Sequence, residues 1–351
     1  MDRIKYFDIA KGIAMLAVII GHCALEVDDF SPQITAQVVY RICFSFHMPL
    51  FFILSGYFMH PDRSFRWAKE FKQLLCTYLL SGLAVLAGVT CLGTIQHEGR
   101  AALLQSWTGA VVYGSGDLTE RTLWPVDQRI GAIWFLLALF WARLLLHCFA
   151  KLPCTPIWVI ICFAVGYVSS NYIWLPWSVQ AGMCAVAFLY LGYLAKKYDV
   201  LGIVKRFPYV WAIAFVIWAI DIVLFGGMSM AANDYGSRPV LSVIGSIAGT
   251  LCIIGISRLF ERSYVLGEAL SRIGQASLAI LCVHLVEDDV LPWQSCLSFL
   301  QNWFPHIPLV FVCFIVRVPI DLGGAALLYC IPKINEWFYP QLAKRAQMIR
   351  S

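Results

Sequence analysis

The chain has 351 residues, of which 60% are hydrophobic and only 13% are charged, with a formal net charge of +5. Soluble domains carry about a quarter charged residues, whereas apolar runs long enough to cross a bilayer recur here from end to end. The composition excludes an ordinary soluble domain and gives no indication of a nucleic-acid-binding protein. We predict an all-α, polytopic transmembrane helical bundle that forms one integral-membrane domain over residues 1–351.

The apolar runs predict about ten spanning helices. These predicted spans cover residues 9–26, 37–59, 72–94, 130–150, 156–174, 179–196, 208–228, 239–260, 271–290 and 308–331. Lys and Arg concentrate in alternate connections, so the positive-inside rule predicts that both termini lie in the cytoplasm and that the protein is in the cell membrane. Acidic residues from Glu287 to Asp289 fall among the predicted outer segments.

The first apolar stretch contains two ionisable residues, Lys11 and His22. It follows Arg3 and Lys5, as in a signal peptide, but Lys11 interrupts its start and no small-x-small cleavage site is convincing, so we expect a retained helix. A buried cation costs about 3 kcal/mol in a bilayer, so both side chains are expected to face protein, water or a ligand. Eleven helical residues span roughly 16 Å, which predicts a polar path from one face toward the middle. His22 suits a general base, and Lys11 suits a contact to phosphate.

The second predicted span combines polar residues with a proline. Pro49 cannot donate a backbone hydrogen bond, which predicts a helix kink beside His47. His47 is either a core histidine or a residue of the acceptor site. Arg41 either extends to the outer interface or stabilises an oxyanion. Ser55, at the inner end, begins a small-residue motif that allows close helix packing or binds a cofactor.

Later spans hold further buried ionisable groups. Arg317 and Asp321 are four residues apart on one helix face, which predicts an ion pair. Asp221 is expected either to pair with an arginine (Arg41 or Arg317) or to stay protonated. His284 should lie at a membrane depth similar to that of His22.

A metal or nucleotide site has little support in the sequence. The histidines at positions 22, 47 and 284 lack the spacing of metal ligands, and the thirteen cysteines contain no Cys-x-x-Cys pair, so we expect no metal and interpret most cysteines as core residues. A Walker A loop, a Rossmann fingerprint and a Gly-x-Ser-x-Gly elbow are also absent.

The motifs together resemble those of the acyltransferase 3 family of membrane acyltransferases, and residues 46–57 (FHMPLFFILSGY) look most like its fucose 4-O-acetylase-like branch. That family has an Arg, ten residues and then a His in its first helix, which here correspond to Lys11 and His22. Ser55-Gly56-Tyr57 is similar to its Ser-Gly-aromatic motif. Residues 133–140 (IWFLLALF) and 277–284 (SLAILCVH) are similar to two weaker motifs of the family.

This resemblance implies an enzyme with ten helices that transfers an acyl group, commonly acetyl from acetyl-CoA, to a sugar or glycan hydroxyl, with His22 as the catalytic histidine. We expect the donor to be bound by cations and by the Ser-Gly-aromatic motif, namely Lys11, Ser55, Tyr57, Arg63 and Arg66. We expect the acceptor side to include Arg41, His47, Trp107, Trp124, His284 and Arg317. The two tryptophans lie in a predicted outer loop, residues 95–129, which is too long for a simple turn.

Two other classes of function remain open from the sequence alone. Intramembrane charges and proline-kinked helices also suit a transporter or exporter of a glycan or lipid-linked precursor, although no inverted repeat is visible. A membrane sensor or scaffold is the third alternative. The expected partners are acyl-CoA, a sugar or glycan, and membrane lipid; the acceptor, the acyl chain and the oligomeric state are not predicted.

Overall fold

The computed structural model describes residues 4–95, 100–225 and 228–338. These residues form helices and connecting turns, and the only strand-like pairings among them are two isolated bridges, Thr122 with Trp174 and Ser229 with Asp234. The fold is therefore all-α, as predicted. Residues 96–99, which belong to the predicted outer loop, lie outside the described residues.

Seventeen α-helices follow in chain order over the described ranges. They are α1 (Lys5–Phe30), α2 (Ile34–Phe44), α3 (His47–Tyr57), α4 (Trp67–Glu70), α5 (Cys76–Ile95), α6 (Arg100–Tyr113), α7 (Trp134–Phe149), α8 (Thr155–Ser169), α9 (Val179–Lys197), α10 (Val200–Arg206), α11 (Tyr209–Ile220), α12 (Pro239–Phe260), α13 (Tyr264–Gln275), α14 (Ser277–Val290), α15 (Trp293–Trp303), α16 (Leu309–Cys330) and α17 (Pro332–Phe338). Short π-helical segments, Phe71–Leu75 and Asp221–Phe225, precede α5 and follow α11.

In the described part of the chain, seven helical segments are long and apolar enough to cross a membrane, or nine if each of two bent pairs counts as one span. Every predicted span contains helix, although α8 has only 15 residues and two of the spans are each divided between two helices. The protein is thus a multi-pass membrane protein, while the number ten and the orientation of the termini stay predictions. We call the membrane face at which α1 begins the near face, and the face at which it ends the far face.

The predicted kink in the second span is confirmed. The helix ends at Phe44 and restarts at His47, where Pro49 occupies the first turn of α3 and needs no intrahelical partner. His47 Nδ1 donates a hydrogen bond of 2.6 Å to the carbonyl of Cys43, so the interruption leaves this buried carbonyl satisfied.

The predicted span over residues 271–290 is divided between two helices in the structure. Two helices, α13 and α14, meet there at a bend of 68°. Glycine allows α13 to cross α1 at backbone contact, because a Cβ at Gly274 would lie 1.8 Å from the carbonyl oxygen of Asp8. The bend then directs α14 along the half of α1 that is closer to the far face. The polar face of α14 is thereby turned toward His22.

The predicted outer loop over residues 95–129 also differs from the structure, because it contains α6. This helix packs along α5: the Tyr78 hydroxyl donates a 2.5 Å hydrogen bond to the carbonyl of Val111, and a Cβ at Gly82 would meet the Val111 side chain at 2.8 Å. Trp107 of α6 is buried in the hydrophobic core. The segment therefore returns into the bundle.

Candidate active site

A central cavity of about 580 Å³ lies between α1, α2, α3, α7 and α14 on the far side of the bundle. Along α1 its wall extends from Asp29 at the mouth to Met15, fourteen residues or about 21 Å deeper. That depth exceeds half of a hydrocarbon core of roughly 30 Å. Its volume falls within the range of about 300–1,000 Å³ that is typical of small-molecule sites.

His22 lies in the wall of the central cavity and is held by a carboxylate. Its Nδ1 is 3.2 Å from Oδ2 of Asp288, which comes from α14. Because the carboxylate accepts from Nδ1–H, Nε2 is the ring nitrogen left to act as a base. A buried carboxylate behind a histidine fixes its tautomer and stabilises the imidazolium that forms after proton uptake.

Asp288 is in turn held by a buried arginine. Arg317 of α16 donates to the Asp288 carboxylate and, through Nε and Nη2, to Oε1 of Glu287 at 2.8 and 2.5 Å. The indole nitrogen of Trp293 donates to the other oxygen of Glu287 at 2.9 Å, and the Arg317 guanidinium lies 4.6 Å from the centre of the Trp293 ring. Paired, hydrogen-bonded charges of this kind are stable in a membrane interior.

His284 completes this buried network. Its Nδ1 lies 2.8 Å from Glu287 and 3.0 Å from Asp321, so one N–H faces two carboxylates. The ring centres of His284 and His22 are 5.0 Å apart, which confirms that the two histidines lie at similar depth.

The predicted Arg317–Asp321 ion pair is wrong, because the bent α14 brings better partners to both side chains: the adjacent carboxylates Glu287 and Asp288 to Arg317, and His284 to Asp321. Both Arg317 and His284 have 0% exposed surface and do not line the central cavity. Both residues therefore belong to the buried network beside the cavity: Arg317 contacts Asp288, and His284 contacts Glu287 and Asp321. The direct substrate contact predicted for them has no support in this geometry.

Of the two acceptor-side candidates on the second span, the structure brings one to the cavity. His47 is in its wall, and the ring of Phe44 stands between His47 and His22, with centres 4.8 and 6.3 Å away. Arg41 is on the exposed side of α2 and is not part of the cavity wall, so the predicted oxyanion contact is not supported. The alternative, an arginine that extends toward the interface, fits better because α2 presents this side outward. Arg129 is the arginine that lines the cavity.

Lys11 lies one helical turn below the deep end of the central cavity. Its ammonium is 3.9 Å from Asp8 and 5.7 Å from the centre of the Phe58 ring, and the side chain is 30% exposed. It is therefore at the near side of the bundle and not against lipid alone. Tyr57 packs on Phe7, with ring centres 4.8 Å apart.

Three of the predicted donor-binding residues line a second cavity on the near side. Ser55, Arg63 and Arg66 share this cavity of about 310 Å³, which we call the basic cavity, with Arg143 and Lys69. Arg143 donates to the Ser55 hydroxyl at 2.8 Å and to Glu70 at 2.6 Å. Ser55 is one turn along α3 from Phe51, which lines the central cavity.

Ser55 also begins the small-residue contact between α3 and α9. A Cβ at Gly56 would lie 1.8 Å from the Leu189 carbonyl oxygen, and one at Gly192 would lie 1.9 Å from that of Ile53. The motif therefore permits close packing and presents a hydroxyl to the basic cavity, so both interpretations of it apply.

The remaining candidates lie away from the central cavity. Trp107 is buried within the core, and Trp124 is exposed and packs on Tyr113 at 4.7 Å between ring centres. Neither tryptophan lines the central cavity. Asp221 is paired with neither Arg41 nor Arg317, and among the described residues its Oδ1 has no hydrogen-bond partner.

Two overlapping groups in the network have the donor types of a metal site. His22, His284 and Asp288 form one, and His284, Glu287 and Asp321 form the other, with ligand atoms within 4.8 Å in the described residues. Arg317 already contacts two of these carboxylates and supplies positive charge at their centre. A metal-free site remains our prediction.

Glu287 and Asp288 have no site role in the sequence prediction, which places them among the outer acidic residues. They follow His284 by three and four residues, so all three side chains share one helix face, and this spacing was the sequence signal that could have grouped them. The side chains of both acids are only 5% exposed. The arginine that pairs with them is distant in sequence, so only the tertiary structure could identify the network.

The multi-pass helical fold encloses a deep cavity whose wall holds a histidine–carboxylate pair, an arrangement that also occurs in enzymes that use a general base. The model of a family described as an acyltransferase domain, acyltransferase 3, matches residues 4–320. The chain therefore belongs to the acyltransferase 3 family and is an acyltransferase, the first of the three classes of function considered from the sequence.

A curated relative supports the assignment. Nodulation protein NolL of Mesorhizobium japonicum is 22% identical over 324 residues, which cover 86% of this chain and 80% of that protein. No solved structure matches the chain.

Proposed function

We propose that this membrane acyltransferase moves an acyl group, acetyl in the first instance, from acyl-CoA to a hydroxyl of a sugar or glycan, with His22 as the general base. The observation that carries the proposal is the pairing of His22 Nδ1 with Asp288 in the wall of the central cavity. This pairing leaves Nε2 for the acceptor hydroxyl.

In the proposed reaction, Nε2 of His22 takes the proton of the acceptor hydroxyl while its oxygen attacks the thioester carbonyl carbon. The tetrahedral intermediate then collapses and its C–S bond breaks. The CoA thiolate leaves and receives the proton from the imidazolium, which yields the acyl ester, free CoA and neutral His22. Asp288 stabilises the imidazolium between these two steps, and Arg317 holds the Asp288 carboxylate in place through a charged hydrogen bond.

The basic cavity suits the phosphates of the donor. It contains Arg63, Arg66 and Lys69 near the Ser55 hydroxyl that Arg143 holds. Guanidinium groups bind phosphate through paired N–H donors, so the arginines compensate for the presence of Lys11 where the family has an arginine. If the near face is cytoplasmic, as the charge distribution predicts, these residues meet acyl-CoA where it is made available.

In the proposal, the donor reaches His22 along α3. One helical turn, about 6 Å, separates Ser55 of the basic cavity from Phe51 of the central cavity. Aromatic rings occupy this turn: Phe51 and Phe52 pack against Phe135 at 5.8 and 5.0 Å between centres. The proposal requires these side chains to shift so that the thin pantetheine arm reaches the central cavity.

The mouth of the central cavity suits a hydroxyl-rich acceptor without negative charge. Asp29, Asp117 and Asp234 line it, together with the aromatic side chain of Tyr40. Asp117 and Asp234 each use Oδ1 to accept a backbone N–H at 2.8 Å, which holds both carboxylates at the mouth. Carboxylate oxygens accept hydrogen bonds from sugar hydroxyls and repel phosphate or carboxylate groups.

Acetyl transfer in proteoliposomes tests the proposal. Labelled acetyl-CoA is supplied on one side and glycan extract from the source cells on the other, and the label in glycan is measured. We expect His22→Ala to lose at least about 100-fold in rate, since general-base catalysis contributes 10²–10⁴-fold.

His306→Ala is the matched control, because His306 is an exposed histidine outside every cavity described above and its loss should leave transfer unchanged. Gel filtration and thermal unfolding establish that each variant is folded. A folded His22→Ala protein with full transfer would exclude His22 as the base.

A further inference from the structure

A third cavity adjoins the central cavity. This side cavity has a volume of about 270 Å³ and shares four wall residues with the central cavity: Asp117, Leu118, Ala231 and Ala232. The two spaces are therefore neighbours across a thin partition at the mouth. The side cavity has room for a group of about the size of one sugar ring, next to the space in which the acceptor hydroxyl meets His22.

The wall of the side cavity is polar and has one unsatisfied donor. Thr119, Glu120 and Arg121 contribute to one side, and Ser170 and Trp174 to the other. Trp174 is 2% exposed, and its indole nitrogen has no hydrogen-bond partner among the described residues. A buried N–H donor without a partner is costly, so its presence beside an open polar cavity points to a ligand that accepts from it.

Hydrogen bonds to backbone carbonyl groups fix this wall in place. Trp174 N donates to the carbonyl of Arg121 at 2.8 Å, and Arg121 Nη1 donates to the carbonyl of Ser170 at 3.2 Å. On the partition side, Ser229 and Asp234 exchange two backbone hydrogen bonds of 2.9 Å around the turn that carries Ala231 and Ala232. The side cavity is thus preorganised, as binding sites are.

We propose that the side cavity is a second saccharide subsite, so that the acceptor is an oligosaccharide or longer glycan. One sugar unit lies in the central cavity with its hydroxyl at His22, and the adjoining unit lies in the side cavity against Trp174. The wall contains carboxylates from Asp117 and Glu120 and only one cation, which suits an uncharged unit. This inference rests on the proposed sugar acceptor.

The test uses glycan extract from the source cells, separated by size into a monosaccharide and an oligosaccharide fraction. Thermal unfolding of the purified protein measures binding, and labelled acetyl-CoA measures transfer. We expect the oligosaccharide fraction to raise the unfolding temperature and to receive the label. Thr119 lines the side cavity but not the central cavity, so Thr119→Trp fills the side cavity and leaves the central cavity open. This variant should raise the KM for the oligosaccharide fraction at least about ten-fold, which corresponds to about 1.4 kcal/mol of lost binding free energy.

Leu123→Trp is the matched control, because Leu123 is 52% exposed in the same loop and lines neither cavity. Its KM should stay that of the unaltered protein. Trp174→Phe is the second variant: it removes the indole N–H but keeps an aromatic side chain, and we expect a KM several-fold higher with kcat unchanged.

Three outcomes would overturn the subsite. They are a label confined to the monosaccharide fraction, a KM that neither Thr119→Trp nor Trp174→Phe changes, and an unfolding temperature that the oligosaccharide fraction does not raise. Failure of the proposed function gives a different pattern, since oligosaccharide would still stabilise the protein in a Thr119-dependent manner while no acetyl group is transferred.

Discussion

Replacement of Asp288 by asparagine isolates the electrostatic contribution of the histidine–carboxylate pair. Asparagine has nearly the same shape, so His22 keeps a neighbour at the 3.2 Å contact but loses the negative charge that stabilises its imidazolium. Arg317 keeps its two contacts to Glu287, so the network retains a partner for its cation. The main effect should therefore fall on catalysis and not on folding.

The magnitude follows from the role of the pair. In a serine protease the corresponding aspartate-to-asparagine change lowers kcat by about 10⁴. The contact here is longer than a strong charged hydrogen bond of about 2.7–2.9 Å, so we expect a smaller loss of about 10³-fold in kcat. That loss corresponds to about 4 kcal/mol of transition-state stabilisation.

The assay is steady-state acetyl transfer in proteoliposomes, with KM for acetyl-CoA and kcat measured separately. KM should change little, because Asp288 contacts neither the basic cavity nor the donor phosphates in the proposal. Asp289→Asn is the matched control, an adjacent acid that does not contact His22 and should retain transfer within about three-fold. A folded Asp288→Asn protein with more than about a third of the normal kcat would refute the assigned role of this carboxylate.

Three further predictions concern stability and the donor site. Arg317→Met leaves two buried carboxylates without their cation and should lower the free energy of unfolding by about 3–5 kcal/mol, measured by denaturant titration in detergent; an unchanged midpoint would contradict the network. Gly56→Ala places a methyl group 1.8 Å from the Leu189 carbonyl oxygen and should abolish a monodisperse gel-filtration peak, whereas Gly323→Ala, which meets nothing within 4 Å, should keep it. Lys11→Ala should raise the KM for acetyl-CoA by about ten-fold, because a hydrogen bond to a charged group contributes about 1.5–3 kcal/mol, whereas Lys11→Arg keeps the charge and should preserve the KM. Equal KM values in the unaltered protein and both variants would remove Lys11 from the donor site.

The sequence by itself determined the class of fold and the family. Apolar runs have to form helices in a membrane because lipid offers no hydrogen-bond partners to the backbone, so every predicted span contains helix. The helix interruption before His47 also follows from the sequence alone, because Pro49 lacks a backbone N–H and its ring crowds the preceding turn wherever it occurs. The position of His22 in a long apolar helix was sufficient to identify it as the candidate base.

The tertiary structure alone decided which partners His22 has. The charges at Asp288, Arg317 and Asp321 are distant from His22 in sequence, and several pairings satisfied the same helical spacing. The bend between α13 and α14 selected among them, because it turned the acidic face of α14 toward α1 and α16. Spacing along a helix fixes which side chains share a face, but the packing of helices determines what that face meets.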